Sequence, residues 1–273
     1  MVRPNHCFAK GLLAISLFSL SFMNAPTAHS HFQELIPSAD SVTSDDPAEI
    51  SLDLQFTHPM ADGPRMQMDK PAAFGVVING SKTDLMAALE ARDKGEKAHY
   101  AARYKIKAPG DHIFFVKPAP YWEPDEGKMI IHYTKVIVDG FQGGEGWHKP
   151  VGLPVEIEPL SRPYGLWTGN LFRGRVLSNG KPVPFAIIEV EYRNEGGAVK
   201  LPGPAFETQE IRADANGVFS YAMPRAGWWG FAALVDGDEE MKNPEGKSVP
   251  VELGGLIWVK TEDMKASHKS VGE

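Results

Sequence analysis

The segment EISLDLQFTH, residues 49–58, alternates strictly: Ile50, Leu52, Leu54 and Phe56 on one face, Ser51, Asp53, Gln55 and Thr57 on the other. Successive side chains of an extended chain point to opposite faces, so a period of two buries one face only in a strand. The same habit recurs along the chain. HYAARYKIKAPGDHIFFVKPAPYW reads as two strands around Pro109-Gly110, and KMIIHYTKVIVDG as another, apolar on both faces in part. A Pro-rich stretch, GLPVEIEPLSRPYG, closes this first unit near residue 163. Beyond it, Asn179-Gly180 is a strong two-residue hairpin signal. A second Asn-Gly turn at 216–217 introduces two more strands, and GLIWVKT forms the last. One piece reads as helix: TDLMAALEARDKG, with Thr83 as N-cap, Leu85 and Leu89 four apart, and Gly95 as terminator. The expectation is an all-β chain of two β-sandwich domains in tandem, residues 31–163 and 164–262, with one short helix in the first. Residues 263–273 form a polar tail.

The first thirty residues follow a different rule. Arg3 and Lys10 precede GLLAISLFSLSFM, an apolar core of about a dozen residues, too short to span a bilayer as a helix. A charged start, an apolar core and small residues before a cut make a secretory signal peptide over residues 1–30. Cleavage after Ala28 places Pro26 three positions before the cut, which is unfavourable. Cleavage after Ser30 leaves Ala28 and Ser30 at the two positions that require small residues and makes His31 the new N-terminus. The product is expected in the periplasm, with no direct membrane anchor.

Composition narrows the chemistry. The one cysteine, Cys7, precedes the apolar core, so it cannot be a lipid-attachment residue, and the mature chain has no disulfide, thiolate nucleophile or zinc-thiolate cluster. Export without disulfides suits a bacterial periplasm. Removing residues 1–30 takes away two basic residues and no acid, moving the net charge from −7 to −9. An acidic chain without basic runs argues against nucleic acid as partner. There is no G-x-S-x-G elbow, phosphate-binding glycine loop or H-E-x-x-H, so the reading is non-enzymatic. The acidic stretch Asp236–Glu240 lacks the spacing of a calcium loop and reads as a solvated loop.

Histidine and methionine carry the remaining signal. His58 continues the phase of Ile50, Leu52, Leu54 and Phe56 and points to the buried face at the strand's end. His132 shares a strand face with Ile130, Thr134, Val136 and Val138. His112 shares one with Phe114 and Val116 and is a weaker candidate. His99, His148 and His268 read as solvent-facing, loop and tail residues. Met60, Met66 and Met68 lie close after His58, with Met66 and Met68 on one side of an extended segment. Imidazole suits nickel, copper, zinc or iron, and thioethers suit copper(I). Taken alone, Met60, Met66 and Met68 read as filling for a core edge and His58 as a satisfied buried histidine. If cleavage exposes His31, its α-amine and its ring can chelate one ion together. The amine's reference pKa of about 7.7–8.0 lets a metal displace its proton near neutral pH. His31, His58 and His132 then make a nitrogen-rich metal site without cysteine.

Two resemblances add to this. RGRVLSNGKPVPFAIIEVEY with TQEIRADANGVFSYAMPRAGWWGFAALV resembles the transthyretin-like, carboxypeptidase-regulatory type of small sandwich, with Ala213 where that family has Thr before Asp. Over residues 28–264, strings such as AHSHFQELIPS, LQFTHPM, VKPAPYWEPDEGKMIIHYTKVIVDGF and GWHKPVGLPVEIEPLSRPYGLWTGNLFRG look like another family. These are the periplasmic components associated with bacterial cobalt and nickel uptake systems, first filed as a domain of unknown function. That resemblance implies Ni2+ or Co2+ as cargo and membrane components of a transporter as partners. It brings no ligands with it; His31, His58 and His132 come from reading the residues. Two alternatives stay open. One is copper handling through the same N-terminal chelate, with the methionines. The other is a structural or carbohydrate-binding sandwich using Pro120-Tyr121-Trp122 and Trp228-Trp229 as platforms, though such aromatics more often pack a core or a loop.

Overall fold

The computed structural model describes residues 31–92 and 97–266. The segment expected to be a signal peptide, Gly95 and His268 therefore lie outside the described residues. In chain order the strands begin β1 (Phe32–Pro37), β2 (Ser41–Val42), β3 (Glu49–Thr57), β4 (Ala73–Ile78), β5 (Ser81–Asp84), β6 (Glu90–Arg92) and β7 (His99–Lys105). Next come β8 (Gly110–Lys117), β9 (Tyr121–Glu123), β10 (Lys128–Gly140), β11 (Val155–Pro159), β12 (Leu166–Trp167), β13 (Leu171–Ser178) and β14 (Lys181–Pro182). The chain ends with β15 (Ile187–Tyr192), β16 (Gln209–Arg212), β17 (Val218–Ala222), β18 (Gly227–Asp236), β19 (Met241–Lys242), β20 (Ser248–Val249) and β21 (Val251–Glu262). The fold is all-β.

The helix expected over 83–95 is not formed by its described residues. Ser81–Asp84 is a strand, Met86–Ala88 a single 3-10 turn, and Glu90–Arg92 a strand again. The reason lies just upstream. Asn79 (φ 50°) and Gly80 (φ 81°) make a two-residue turn that pairs Ile78 with Ser81 and Val76 with Thr83. Thr83 is thereby committed to a ladder and cannot cap a helix. Leu85, Met86, Ala88 and Leu89 pack against the core from this short, irregular stretch. Asn179-Gly180 closes the expected hairpin, with Ser178 opposite Lys181.

The sheets are also arranged differently from two sandwiches in tandem. One sheet runs β16-β15-β18-β21-β10-β8-β4-β5, with β2 and β9 also paired to β10 and β12 to β21, so it draws strands from both halves of the chain. The joint is a parallel pairing of β10 with β21, from Met129 opposite Val251 to Val136 opposite Trp258. Alternation along these central strands serves two cores. Phe114, Val136, Val138, Leu256 and Trp258 face one side, against the sheet β1-β3-β7-β6. Ile113, Phe115, Ile137, Ile257 and Val259 face the other, against the sheet of β11, β13, β14 and β17. The boundary expected near residue 163 therefore does not separate closed units. β11, which precedes it, pairs with β13, which follows it. Tyr164 donates its hydroxyl proton to Asp111 on β8 at 2.7 Å.

Between the layers lies a buried ion pair, Lys135 Nζ to Glu156 Oε2 at 2.8 Å, with both side chains almost wholly enclosed. Burial pushes Lys135 down from its ordinary value. Burial alone would raise Glu156, but Lys135 and the N–H groups of Val151 and Gly152 hold its carboxyl low.

Candidate functional site

His31 precedes β1 and His58 follows β3, and the antiparallel register between these strands ends with Phe32 opposite Thr57. The next pair outward is His31 and His58, so the ladder itself delivers the two imidazoles to one place. Their ring centroids are 4.5 Å apart with 49° between the planes. His58 sits at the start of a tight loop. Gly63 donates its N–H to the His58 carbonyl at 3.2 Å, and a Cβ at Gly63 would lie 3.1 Å from the Cβ of His58. That close approach is why a residue without a side chain stands there.

A carboxylate holds His31 from the other side. Its Nε2 lies 2.9 Å from Oε2 of Glu123 on β9, with both side chains buried. Glu123 uses its other oxygen to accept the N–H of Asp125 at 3.1 Å. Burial pushes the Glu123 carboxyl up; the Asp125 N–H and Lys128 work against that, while the Asp125 and Glu126 carboxylates add to it. Phe56 and Tyr121 complete the surroundings, with ring centroids 5.7 and 5.5 Å from that of His31.

His132 is on the face expected, buried at 2% exposure, and its ring meets Phe56 at 6.0 Å. It lines a cavity of about 250 Å³ shared with Phe56, Tyr121, Trp122, Met68 and Met129. Neither ring nitrogen of His132 has a hydrogen-bond partner among the described residues. The nearest charge, Glu252 Oε1, is 3.7 Å from Nε2. Burial would raise Glu252, but His132 and Lys128 draw its carboxyl down to about 2. Room for the imidazole is made by Gly254 of β21, where a Cβ would come within 2.3 Å of His132 Cδ2.

The weaker candidates are scattered. Met68 belongs to the core beside His132, Met66 forms a backbone bridge to Phe56, and Met60 donates its N–H to Glu191 Oε2 at 3.0 Å. His112 stands outside this cluster. It pairs opposite Val138 on β10, six residues from His132 and thus roughly 20 Å along the strand. There its Nδ1 is 2.9 Å from the Gly110 carbonyl, Tyr104 and Phe114 enclose the ring, and burial lowers its pKa. Trp229 is core, 6% exposed, with its N–H donated to the Arg225 carbonyl, so it offers no platform.

Beside His58 is a polar cavity of about 210 Å³ that sequence reasoning missed, lined by Glu34, Gln55, Thr57, Arg65 and Arg193 among others. Glu34, 2% exposed on β1, accepts from Gln55 Nε2 (2.7 Å), Thr57 Oγ1 (2.6 Å) and Arg193 Nε (2.8 Å). The one signal was an acid within the otherwise strand-like HFQELIP; its partner Arg193 lies far along the chain and nothing local pointed to it.

What the arrangement can do follows from its donor atoms. Two imidazoles in ring contact, one of them gripped by a carboxylate, are nitrogen ligands held in place beforehand. Among the described residues, no group of three or more His, Cys, Asp or Glu is disposed to hold a metal ion. An ion at His31 and His58 thus needs a further donor.

No curated protein matches this chain. Among solved structures, the adhesin InvE of Yersinia pseudotuberculosis is 10% identical, with a TM-score of 0.24 over 82% of this chain; the chain spans 58% of the adhesin's length. Native alpha-2-macroglobulin from Escherichia coli, over domains MG0-NIE-MG1, is 12% identical, with a TM-score of 0.22 over 88% of this chain and 74% of the other. Scores this low carry no argument. The model of one family spans residues 28–237, most of the chain and both histidines of the pair. By that match the chain belongs to the family described as Domain of unknown function (DUF4198).

Proposed function

We propose that this chain is an exported, non-enzymatic metal-binding protein whose site is His31 with His58, and whose cargo is Ni2+ or Co2+. The observation that carries the reading is the contact of His31 Nε2 with Glu123 Oε2 at 2.9 Å. A carboxylate on Nε2 keeps the proton there and leaves the lone pair on Nδ1. Nδ1 is the ring nitrogen that can close a six-membered chelate with the residue's own α-amine; Nε2 points away from it. Cleavage after Ser30 creates that amine and supplies the further donor. His58, 4.5 Å away ring to ring, adds another nitrogen.

Delivery to membrane components of an uptake system, and the periplasm as the compartment, rest on the signal-like start and on the resemblance to cobalt and nickel uptake components. In the same reading the C-terminal strands, which resemble a transthyretin-like module, serve as architecture and carry no chemistry.

Calorimetric titration with Ni2+ and Co2+ tests the proposal on two versions of the protein. One starts at His31 after export; the other carries Met or a tag before His31. The tagged form should bind about a hundredfold more weakly, since 1.4 kcal/mol is tenfold and a basic ligand nitrogen has become an amide. His58→Ala should weaken binding further while the circular dichroism spectrum stays that of a β protein. Equal affinities in the two starts would remove the α-amine from the site. Copper alone bound after purification from its native compartment would change the cargo.

A further inference from the structure

We propose that the dipeptide Arg193-Asn194, from beyond residue 163, positions the metal pair, with Asn194 as the residue that sets the place of His58. The inference rests on the reading of His31 and His58 as ligands and adds what holds the second of them still.

His58 stands one residue past the last ladder pair, Phe32 opposite Thr57, so strand pairing does not fix it. Between His58 and Gly63 the loop does little to hold itself. Gly63 donates its N–H to the His58 carbonyl at 3.2 Å and Asp62 to the Pro59 carbonyl at 3.4 Å, at and past the long end for such bonds. Further ties come from β15 and the segment after it. Asn194 donates its N–H to the Pro59 carbonyl at 3.0 Å and its Nδ2 to the Met60 carbonyl at 3.1 Å. Gly196 donates its N–H to Asp62 Oδ1 at 3.2 Å, and Met60 donates its own to Glu191 at 3.0 Å.

Asn194 is the centre of this clamp. It is 3% exposed, and both ends of its amide are engaged by Val199: Oδ1 accepts the Val199 N–H at 2.7 Å, and Nδ2 donates to the Val199 carbonyl at 2.8 Å. Those two bonds fix which way the amide points, and its second N–H is thereby aimed at Met60. Arg193 holds the other side. Its backbone N–H is anchored on the Trp228 carbonyl of β18 at 2.9 Å, and its Nε donates to Glu34 Oε2 at 2.8 Å. Glu34 in turn accepts the hydroxyl of Thr57, the residue before His58, at 2.6 Å. One dipeptide therefore grips the strand end ahead of His58 and the loop behind it. A ligand held beforehand loses less freedom on binding, so the clamp should register as affinity.

The test uses the exported protein, starting at His31. Asn194→Ala should weaken Ni2+ binding about tenfold in calorimetry, the effect of one buried hydrogen bond. In a His58→Ala background the same change should alter affinity less than about twofold, because Asn194 reaches the ion only through His58. Equal losses in both backgrounds would mean a general loosening and would overturn the proposal. A second readout needs no metal. In EDTA, the NMR signals of the His58 ring should shift and broaden in Asn194→Ala, while those of His112, which stands apart, keep their place. Unmoved His58 signals overturn the proposal as well. If the unaltered protein binds no Ni2+, the metal reading falls alone, and the metal-free comparison still decides whether Asn194 places His58; it decides equally if His58→Ala leaves no affinity to measure. Should Asn194→Ala fail to fold, Asn194→Asp has the same size, keeps the acceptor for Val199 and loses the donor to Met60, and it should give the same pattern.

Discussion

At the scale of single residues, burial decides more than residue type. Glu191 on β15 is 1% exposed; it accepts the N–H of Met60 and the hydroxyl proton of Thr208. Burial pushes its carboxyl from an ordinary 4.5 up to about 8; those two hydrogen bonds oppose the shift, and Glu189 and Glu207 add to it. The folded protein thus holds a proton there that the unfolded chain releases near pH 4.5. Its contribution to stability is fully present below about pH 4.5 and is lost as pH rises through about 8. Glu191→Gln keeps an acceptor for Met60 without the charge. In urea unfolding, the variant should lose less stability than the parent between pH 5 and pH 8.5, by up to a few kcal/mol at order of magnitude. Parallel pH profiles would show that Glu191 is ionised in the fold. The residue was invisible in sequence because EVEY alternates so that a solvent-facing acid is equally acceptable; only the loop carrying Met60, laid across β15, buries it.

Among the elements, the seam between β10 and β21 is where side-chain size is most constrained. His132 lies opposite Gly254, and a Cβ there would sit 2.3 Å from the imidazole Cδ2. Gly254→Ala should cost on the order of 1–3 kcal/mol, the range for overpacking a closed core. Much of that loss should vanish when His132 is also Ala, since the clash needs both partners. Strictly additive losses in denaturant titrations would mean that the strain lies elsewhere. The misread helix belongs at this scale too. Leu85 and Leu89 have helical spacing, but Asn79-Gly80 sets a hairpin just ahead of them, and a ladder once started takes Thr83 with it. A local turn signal of that strength outweighs one pair of leucines.

For the whole molecule, the shared sheet makes the halves interdependent. Ala232, Leu256 and Trp258 come from beyond residue 163 yet pack in the core formed with β1 and β3. Residues 31–163 expressed alone would lose these side chains, leave β10 without β21, and strand β11 without β13. That fragment should fail to unfold cooperatively and should give a poorly dispersed amide spectrum, while residues 31–266 unfold in one transition. A well-dispersed, cooperatively melting fragment would show that the first unit closes on itself. Arg193 crosses the same divide, reaching Glu34 on β1 at 2.8 Å.

Alternation within EISLDLQFTH and MIIHYTKVIV depends on neighbours along the chain, so the sequence by itself determined an all-β fold and the face of His132. It also limited the side-chain chemistry beyond residue 30, where no cysteine stands and imidazole, carboxylate and thioether are the candidate ligands. It could not determine register between distant strands, because Phe32 opposite Thr57 and Met129 opposite Val251 are matters of which ladder closes in space. Tertiary structure alone therefore decided that His31 meets His58 and Glu123, that His132 faces a cavity, and that His112 stands apart. It also decided that both halves share one sheet: strands such as β10 and β21, apolar on both faces, are most stable covered on both sides, and only a layer from each half can cover them.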